Sequence, residues 1–485
     1  MKEITRDIYV LNDGAIQFPI LPNGTGWKST ELDNLSVIES GEKKKLQFKI
    51  IDAIENAEEF ICLQSFLIQD SVLIDALLNA VERKVKVFVL SSVEARLTAS
   101  VEEEADFITK DYIQMLETKF KNHFVHRSAE NFHGKYILVD PKANARGFIC
   151  TNNFTENGFS KNPEFGVELN MLQCEELFKI FVYHFWEHSK DEQSELNEFE
   201  KVKYASKFIL PKLTSILLTS PNSMVNSLNK TLEVAVTNAQ KSIVISTFQI
   251  DKSSELVQLI LKKARNGVEV TLFCRPIEKQ FEGQLKELLD AGVQIFFHQF
   301  VHAKAMLVDE NQGYVFTANL IENGLLKGLE VGLKLNEQQT SDLKKILENY
   351  KNDFPFKATK SAYIKDLTEV QVFKEGRLTK KIMLNTTNKD EKRKITWVSD
   401  LISFFNYKPE INDNSIKSLR FKLIADIEPL PKDYKINAFY KFEVIENVEP
   451  KEKNTQIVVI NDNFSTNDIG ELSSYSALKI YYYNS

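Results

Sequence analysis

Apolar and polar residues follow one another along this chain in two matching series. In the first, Leu35-Ser-Val-Ile38 reads as a short strand and Lys45 to Ala57 carries apolar residues at helical spacing. Phe60-Ile-Cys-Leu-Gln-Ser-Phe66 reads as a buried strand, Val72 to Val81 as a helix, and Val85-Lys-Val-Phe-Val-Leu90 as another strand. In the second, Ser215 to Thr219, Leu228 to Ala239, Ile243 to Phe248, Leu256 to Ala264 and Val268 to Phe273 repeat that order. Strands alternating with helices of this length predict an α/β fold built from parallel βαβ units, present twice and forming a pseudo-two-fold unit. The expected boundaries are a lead-in at 1–30, lobes at 31–205 and 206–350, a linker at 351–365 and a mostly β C-terminal module at 366–485.

Composition narrows the classes. No apolar stretch approaches the about 18 residues of a membrane span and the start has no signal-like core, so a cytoplasmic protein without stable membrane insertion is expected. Four cysteines without a Cys-x-x-Cys pair read as buried, reduced thiols rather than a zinc or disulfide framework. The net charge of −7 means that any phosphate-binding surface must be local, set against an acidic surround.

The repeat carries chemistry. His133-Gly-Lys135 is followed by Asp140, and His302-Ala-Lys304 by Asp309, at identical spacing, in a chain with only 7 histidines. Asn153 and Asn319 follow, each with Gly five residues on (Gly158, Gly324) and Glu eleven on (Glu164, Glu330). Both motifs are expected on strands, Phe132 to Val139 and Val301 to Val308, where residues two apart share a face. Imidazole and ammonium would then stand side by side, an arrangement suited to a phosphate.

These paired motifs resemble those of the phospholipase D superfamily over about residues 31–350. Thr151 and Thr317 stand at the hydroxyl position of that family's Gly-Ser-x-Asn segment, and both glycines are replaced, as Cys150-Thr-Asn-Asn153 and Phe316-Thr-Ala-Asn319 show. Asn153-Phe-Thr with Asn162-Pro-Glu164 is similar to the nuclease branch and lacks the Asp-x-Arg-Ser-like tail of lipid-synthesising members. The resemblance implies a metal-independent phosphodiesterase needing no cofactor, most simply a nuclease acting on DNA or RNA. His133 would attack phosphorus and His302 would act as acid and then base. Lys135, Lys304, Asn153 and Asn319 would hold the phosphoryl oxygens, with Thr151 and Thr317 beside the substrate. Asp140 and Asp309, or Glu164 and Glu330, would orient the imidazoles; the sequence does not choose between these pairs.

The layout also resembles restriction and defence nucleases with an appended binding domain, which implies nucleic acid as partner and leaves room for a protein partner or homodimer. A phosphatidyl transferase like cardiolipin synthase, and a phosphate-holding scaffold without activity, are the other readings. Outside the motifs, His184 and His188 are read as two polar groups of an amphipathic helix, Lys389 to Lys394 as a solvated charge run, and Tyr475 and Tyr481 to Tyr483 as packing residues.

Overall fold

The protein is described by a computed structural model covering residues 26–29, 35–92, 116–129, 131–193, 199–202, 207–210, 212–220, 225–281 and 283–360. It also covers strands at 6–10, 16–17, 363–374, 377–383, 419–428, 438–439, 441–444, 457–460, 464–466 and 482–483. The chain forms two compact units. One comprises Thr25–Arg275 and Phe300–Lys351; the other comprises Met1–Gly24, Pro276–Gln299 and Asn352–Ser485. Both motifs lie in the first.

In the first lobe of that unit the order is β1 (Val37–Glu39), α1 (Lys45–Glu55), β2 (Phe60–Gln64), α2 (Ser71–Glu82), β3 (Lys86–Ser91), β4 (Val125–Ser128), β5 (Tyr136–Val139), β6 (Arg146–Cys150), β7 (Phe165–Glu168) and α3 (Met171–Tyr183). The second lobe repeats it with β8 (Ile216–Ser220), α4 (Ser227–Asn238), β9 (Ser242–Ser246), α5 (Glu255–Arg265), β10 (Glu269–Cys274), β11 (Ala305–Val308), β12 (Gln312–Phe316), β13 (Glu330–Lys334) and α6 (Glu337–Asp353). The helices form where apolar residues recur on one face. Leu46, Ile50, Ala53 and Ile54 are the buried stripe of α1, and Leu256, Val257, Ile260, Leu261 and Ala264 that of α5. Each such Leu or Ile contributes about 1.5–3 kcal/mol by leaving water. Asp70 caps α2 by accepting from the Leu73 N–H at 2.8 Å.

Strand order is β3-β2-β5-β6-β7-β1 in one sheet and β10-β9-β11-β12-β13-β8 in the other, the same arrangement twice. The α/β class and the duplication are as the pattern predicts, but the sheets are mixed. Parallel pairs include β2 with β3, β3 with β4, and β9 with β10. The motif strands run antiparallel, β2-β5-β6-β7 and β9-β11-β12-β13. The connections at 140–145 and 309–311 are too short for a crossover and permit only a hairpin.

The lobes are tied by mirrored contacts. Glu176 of α3 accepts from the backbone N–H groups of Thr214, Ser215 and Ile216 at the start of β8, at 2.8, 2.8 and 2.9 Å. Asp342 of α6 accepts from the N–H and hydroxyl of Ser36, just before β1, at 2.9 and 2.8 Å. Each carboxylate lies twelve residues beyond its own copy's Glu164 or Glu330, and each caps the first strand of the other copy.

In the second unit, Gln294–Phe297, Phe356–Lys360, Arg6–Val10 and Ile16–Gln17 lie side by side in that order. The lead-in therefore contributes strands. The stretch expected as a linker runs instead as the end of α6 and the strand Phe356–Lys360, because Phe356 and Ala358 are buried partners rather than solvated spacers. Every described residue beyond 362 is in a strand. Lys389 to Lys394, Tyr475 and Tyr481 lie outside the described residues. Among the described residues no helix is long and apolar enough to cross a membrane. All four cysteines are buried and unbridged. Burial pushes the Cys62 thiol up to about 12, so it is no thiolate at neutral pH.

Candidate active site

The residues carrying His and Lys leave their own sheet before its motif strand begins. Strands β5 and β11 start at Tyr136 and Ala305, not at Phe132 and Val301 as the alternation suggests. The reason is a bond to the other copy. The Gly134 N–H donates to the Leu329 carbonyl at 2.8 Å, and the Leu329 N–H to the Asn131 carbonyl at 2.9 Å. In mirror fashion the N–H groups of His302 and Ala303 donate to the Pro163 carbonyl at 3.2 and 2.9 Å. Leu329 and Pro163 immediately precede Glu330 and Glu164, so each exchange carries one copy's glutamate to the other copy's histidine.

Glu330 Oε1 lies 2.7 Å from His133 Nδ1, and Glu164 Oε1 lies 2.5 Å from His302 Nδ1. The second oxygen of each carboxylate is held by a threonine from its own copy. Thr151 Oγ1 donates to Glu164 Oε2 at 2.6 Å, and Thr317 Oγ1 donates to Glu330 Oε2. A carboxylate at Nδ1 selects the tautomer with that nitrogen protonated, which leaves Nε2 as the lone-pair atom of a neutral ring. Thr151 and Thr317, read from sequence as lying beside the substrate, are instead buried behind the glutamates. Their hydroxyls saturate those carboxylates.

Both lysines are fully buried. Lys135 Nζ donates to the His133 carbonyl at 2.7 Å; Lys304 Nζ donates to the His302 carbonyl at 2.8 Å and lies 2.9 Å from both ring nitrogens of His302. Phe66 and Phe248, in matching places after β2 and β9, flank the imidazoles at 5.4 and 5.2 Å between ring centres. The repeated glycine has a packing cause. A Cβ on Gly158 would lie 2.4 Å from the Asn153 carbonyl oxygen, and one on Gly324 would lie 2.5 Å from that of Asn319. Only glycine lets the turn close under each buried asparagine.

An open cleft of about 470 Å³ is lined by Glu164, His302 and Asn153, with Lys161, Arg275 and Phe300 on its wall. Neither Phe66 and Phe248 nor this wall is part of the motif. Aligning the two copies strand by strand would have found the phenylalanines, whereas nothing in the sequence marks Lys161 or Arg275.

Asp140 and Asp309 do not orient the imidazoles. The Asp140 carboxylate accepts from the N–H groups of Glu58, Glu59 and Phe60 at 2.8, 2.7 and 2.9 Å. Asp309 does the same for Gln240, Lys241 and Ser242. Each sits at the far end of its motif strand with φ of 46° or 49°, closing the hairpin and capping the start of the neighbouring strand. Burial works to raise the Asp309 carboxyl, but its backbone donors outweigh this and hold it below its usual value. The shared spacing from His to Asp in the two copies is thus the length of the strand. Asp140→Ala is expected to cost roughly 2–4 kcal/mol of stability by orphaning these donors, read as a lower melting temperature, while turnover per folded molecule changes little. Loss of turnover in a fully folded variant would return Asp140 to the chemistry.

His184 and His188, read as two polar groups of an amphipathic helix, are both buried. A π-turn at His184–His188 rotates both inward. Burial drives the His184 imidazole well below its usual value, and His188 adds to this. His184 Nδ1 meets Gln64 Oε1 at 3.1 Å, and Gln64 also accepts from the Tyr136 hydroxyl at 2.9 Å. His126 is buried too, bonded to Ser91 at 2.7 Å, while His123 is exposed.

Electrostatics separate the two members of the His133–Glu330 couple. Burial holds the His133 imidazole below its usual 6.5; Lys135 and Lys304 push the same way, against the pull of Glu330. Burial would raise the Glu330 carboxyl, but His133, Lys135 and the Thr317 hydroxyl outweigh it and hold it below its usual value. The pair is therefore a neutral imidazole on an ionised carboxylate. Any reaction needing the His133 lone pair should keep its kcat/KM from neutrality down to pH 6.5 and fall only below that, by about tenfold per pH unit. An acid limb with its midpoint above 6.5 would contradict this.

A family model described as "Cardiolipin synthase, PLD-like domain" matches residues 50–189 and 207–354. Cardiolipin synthase A of Buchnera aphidicola subsp. Acyrthosiphon pisum (strain Tuc7) is 28% identical over 130 residues, covering 25% of this chain and 27% of the relative. The DISARM protein DrmC of Bacillus paralicheniformis (strain ATCC 9945a / NCIMB 11709 / CD-2) is 25% identical over 150 residues, covering 28% of this chain and 62% of that protein. The chain thus spans about a quarter and under two thirds of the lengths of these curated relatives. Among solved structures, phosphatidylserine synthase of Haemophilus influenzae Rd KW20 matches with a TM-score of 0.48 and 16% identity, over 69% of this chain and 88% of that one.

Proposed function

We propose, for a chain that belongs to the phospholipase D superfamily, that it is a metal-independent nuclease cleaving DNA or RNA through a phosphohistidine. The observation that carries the reading is the crossed pairing of Glu330 with His133 and of Glu164 with His302. It gives each of two imidazoles a carboxylate of the other copy at Nδ1 and so leaves Nε2 of each for the chemistry.

In the first step the Nε2 lone pair of His133 forms a P–N bond as the P–O bond to the leaving oxygen breaks. That oxygen takes a proton from His302 Nε2 and departs as an alcohol. In the second step His302, now neutral, takes a proton from water. The water oxygen bonds to phosphorus, the P–N bond breaks, and both imidazoles return to their starting states. One diester and one water yield one monoester and one alcohol. Lys135 and Lys304, aided by the Asn153 and Asn319 amides, hold the non-bridging oxygens against the charge that develops. Asn153-Phe-Thr with Asn162-Pro-Glu164, and the cationic wall of the cleft, favour nucleic acid as substrate. A restriction or defence role, with the C-terminal residues recognising nucleic acid or a protein, belongs to the same reading.

One observation favours a second reading. The matching family model and the Buchnera relative are described as cardiolipin synthases. A phosphatidyl transferase would run the same two steps with an alcohol in place of water. The test is full-length protein against plasmid, single-stranded DNA, RNA and mixed phospholipid vesicles, in EDTA, with His133→Ala alongside. Nucleic acid should be cut in EDTA by the wild type alone. Turnover of lipid only would establish the second reading, and loss of turnover in EDTA restored by a divalent ion would end metal independence.

A further inference from the structure

The two-fold repeat breaks at the wall of the cleft. The register of β2 with β3 and of β9 with β10 makes Ser92 and Arg275 equivalent, each directly after its strand. Ser92 is fully buried and donates to the carbonyls of Ala129 and Phe132 at 2.9 and 3.1 Å. Arg275 binds the corresponding stretch, with Nε to the Val301 carbonyl at 2.8 Å and Nη2 to the Phe300 carbonyl at 3.2 Å, yet it is half-buried and lines the cleft. Its guanidinium lies 4.6 Å from the centre of the Phe248 ring. Two residues before each motif histidine stand Asn131 and Phe300. Eight residues after each motif asparagine stand Lys161 and Lys327. Lys161 lies 4.3 Å above the Phe300 ring at the cleft, whereas Lys327 is 62% exposed and paired with Glu322 at 3.0 Å.

Two cations, each seated on an aromatic face, therefore stand beside His302, and among the described residues the equivalent positions Ser92 and Lys327 place no such cation beside His133. Seating of this kind fixes a charge in place before a ligand arrives. The surrounding protein is acidic, with a net charge of −7, so the pair is a local feature rather than part of a basic surface. The reacting phosphate already has Lys135 and Lys304. A second anion is what this wall is built to meet.

We infer that Lys161 and Arg275, on the Phe300 side of the cleft, form a subsite for the non-reacting phosphate that neighbours the scissile one in a nucleic-acid strand. This rests on the nuclease reading and deepens it. A strand presents such a neighbour at every internal position, whereas a phospholipid with a single phosphate presents no second phosphate to this wall. The subsite also gives a pseudo-symmetric centre a direction. The strand segment on the His302 side is the one whose oxygen His302 protonates, so the leaving segment is the one gripped, and cleavage has a fixed polarity.

The test uses full-length protein and a thymidine trimer, which has two phosphates, with the dimer as reference. The wild type should cut one of the two phosphates about tenfold faster than the other, the size of one charge-assisted contact to phosphate. Replacing the slowly cut phosphate by a neutral methylphosphonate should bring the fast position down to the rate of the dimer. In Lys161→Gln, whose side chain is half-buried at the cleft edge, the two positions should be cut at nearly equal rates. Phe300→Leu, which removes the ring under Lys161, should lower the preference in the same direction. Equal cutting of both positions by the wild type, or a preference unchanged in both variants, would overturn the subsite while leaving the nuclease reading intact. Turnover of phospholipid with no cutting of trimer, dimer or plasmid would overturn both.

Discussion

His133→Ala is expected to abolish turnover, by at least about ten-thousandfold, because it removes the atom that forms the covalent bond and leaves only positioning behind. The fold should survive. The ring is partly exposed, and the backbone that ties the lobes here uses the neighbouring Gly134 N–H rather than the imidazole. The sharper measurement is where the phosphoryl group goes. With a substrate whose leaving group needs no proton, His302→Ala should still phosphorylate His133 and then stall, since water lacks its base. His133→Ala should form no adduct. A phosphoryl group trapped on His302 in the His133→Ala protein would reverse the roles. The depressed proton affinity of His133 fits the nucleophile's need for a neutral ring.

Glu330→Gln should lower kcat by about ten-thousandfold, the scale seen when a carboxylate behind a catalytic imidazole loses its charge. The amide keeps the volume but can present its NH2 to Nδ1, favouring the tautomer with the proton on Nε2, where attack is impossible. The same change removes the pull that raises the His133 proton affinity, so the acid limb of any residual activity should move to still lower pH. This pairing of effects separates positioning from mere damage, because a destabilised fold would lower activity without moving the limb. Glu330→Ala is the less informative variant. It leaves Lys135 buried beside an empty site, which costs about 3–5 kcal/mol when one partner of a buried pair is removed. Glu164→Gln should act on His302 in the same way, with its effect on the step that protonates the leaving oxygen. Full activity in folded Glu330→Gln would show that the short contact to His133 does not set the tautomer.

Residues in the motif were legible to different depths. His133, Lys135, His302 and Lys304 stood out because a rare residue type recurred at fixed spacing, and the structure sets Lys135 on the His133 carbonyl and Lys304 on the His302 carbonyl and ring. Gly158 and Gly324 recurred for a reason the sequence could not state, namely the absence of room for a Cβ against the asparagine carbonyl. Asp140 and Asp309 show the opposite failure. Their spacing was as regular as that of the histidines, yet it records the length of a strand and the cap on its neighbour. Regular spacing reports a shared geometric requirement and does not say whether that requirement is chemical. His184 and His188 were misread because a helical period places residues four apart on one face, whereas the π-turn changes the rotation per residue.

The linear chain was enough to establish the duplication, the α/β class and the identity of the His-x-Lys pairs, because each depends on short local patterns or on their recurrence along the chain. Folding alone decided which carboxylate serves which histidine. Glu330 lies almost two hundred residues from His133, and Glu164 well over a hundred from His302; what joins them is a backbone exchange between Leu329 and Gly134, and between Pro163 and His302, that no local pattern records. The same holds for the wall of Lys161, Arg275 and Phe300. Its residues come from three separate segments, and their asymmetry about the two-fold axis exists only once both copies are packed together, since a cation's surroundings are set by contact in space and not by neighbours in sequence.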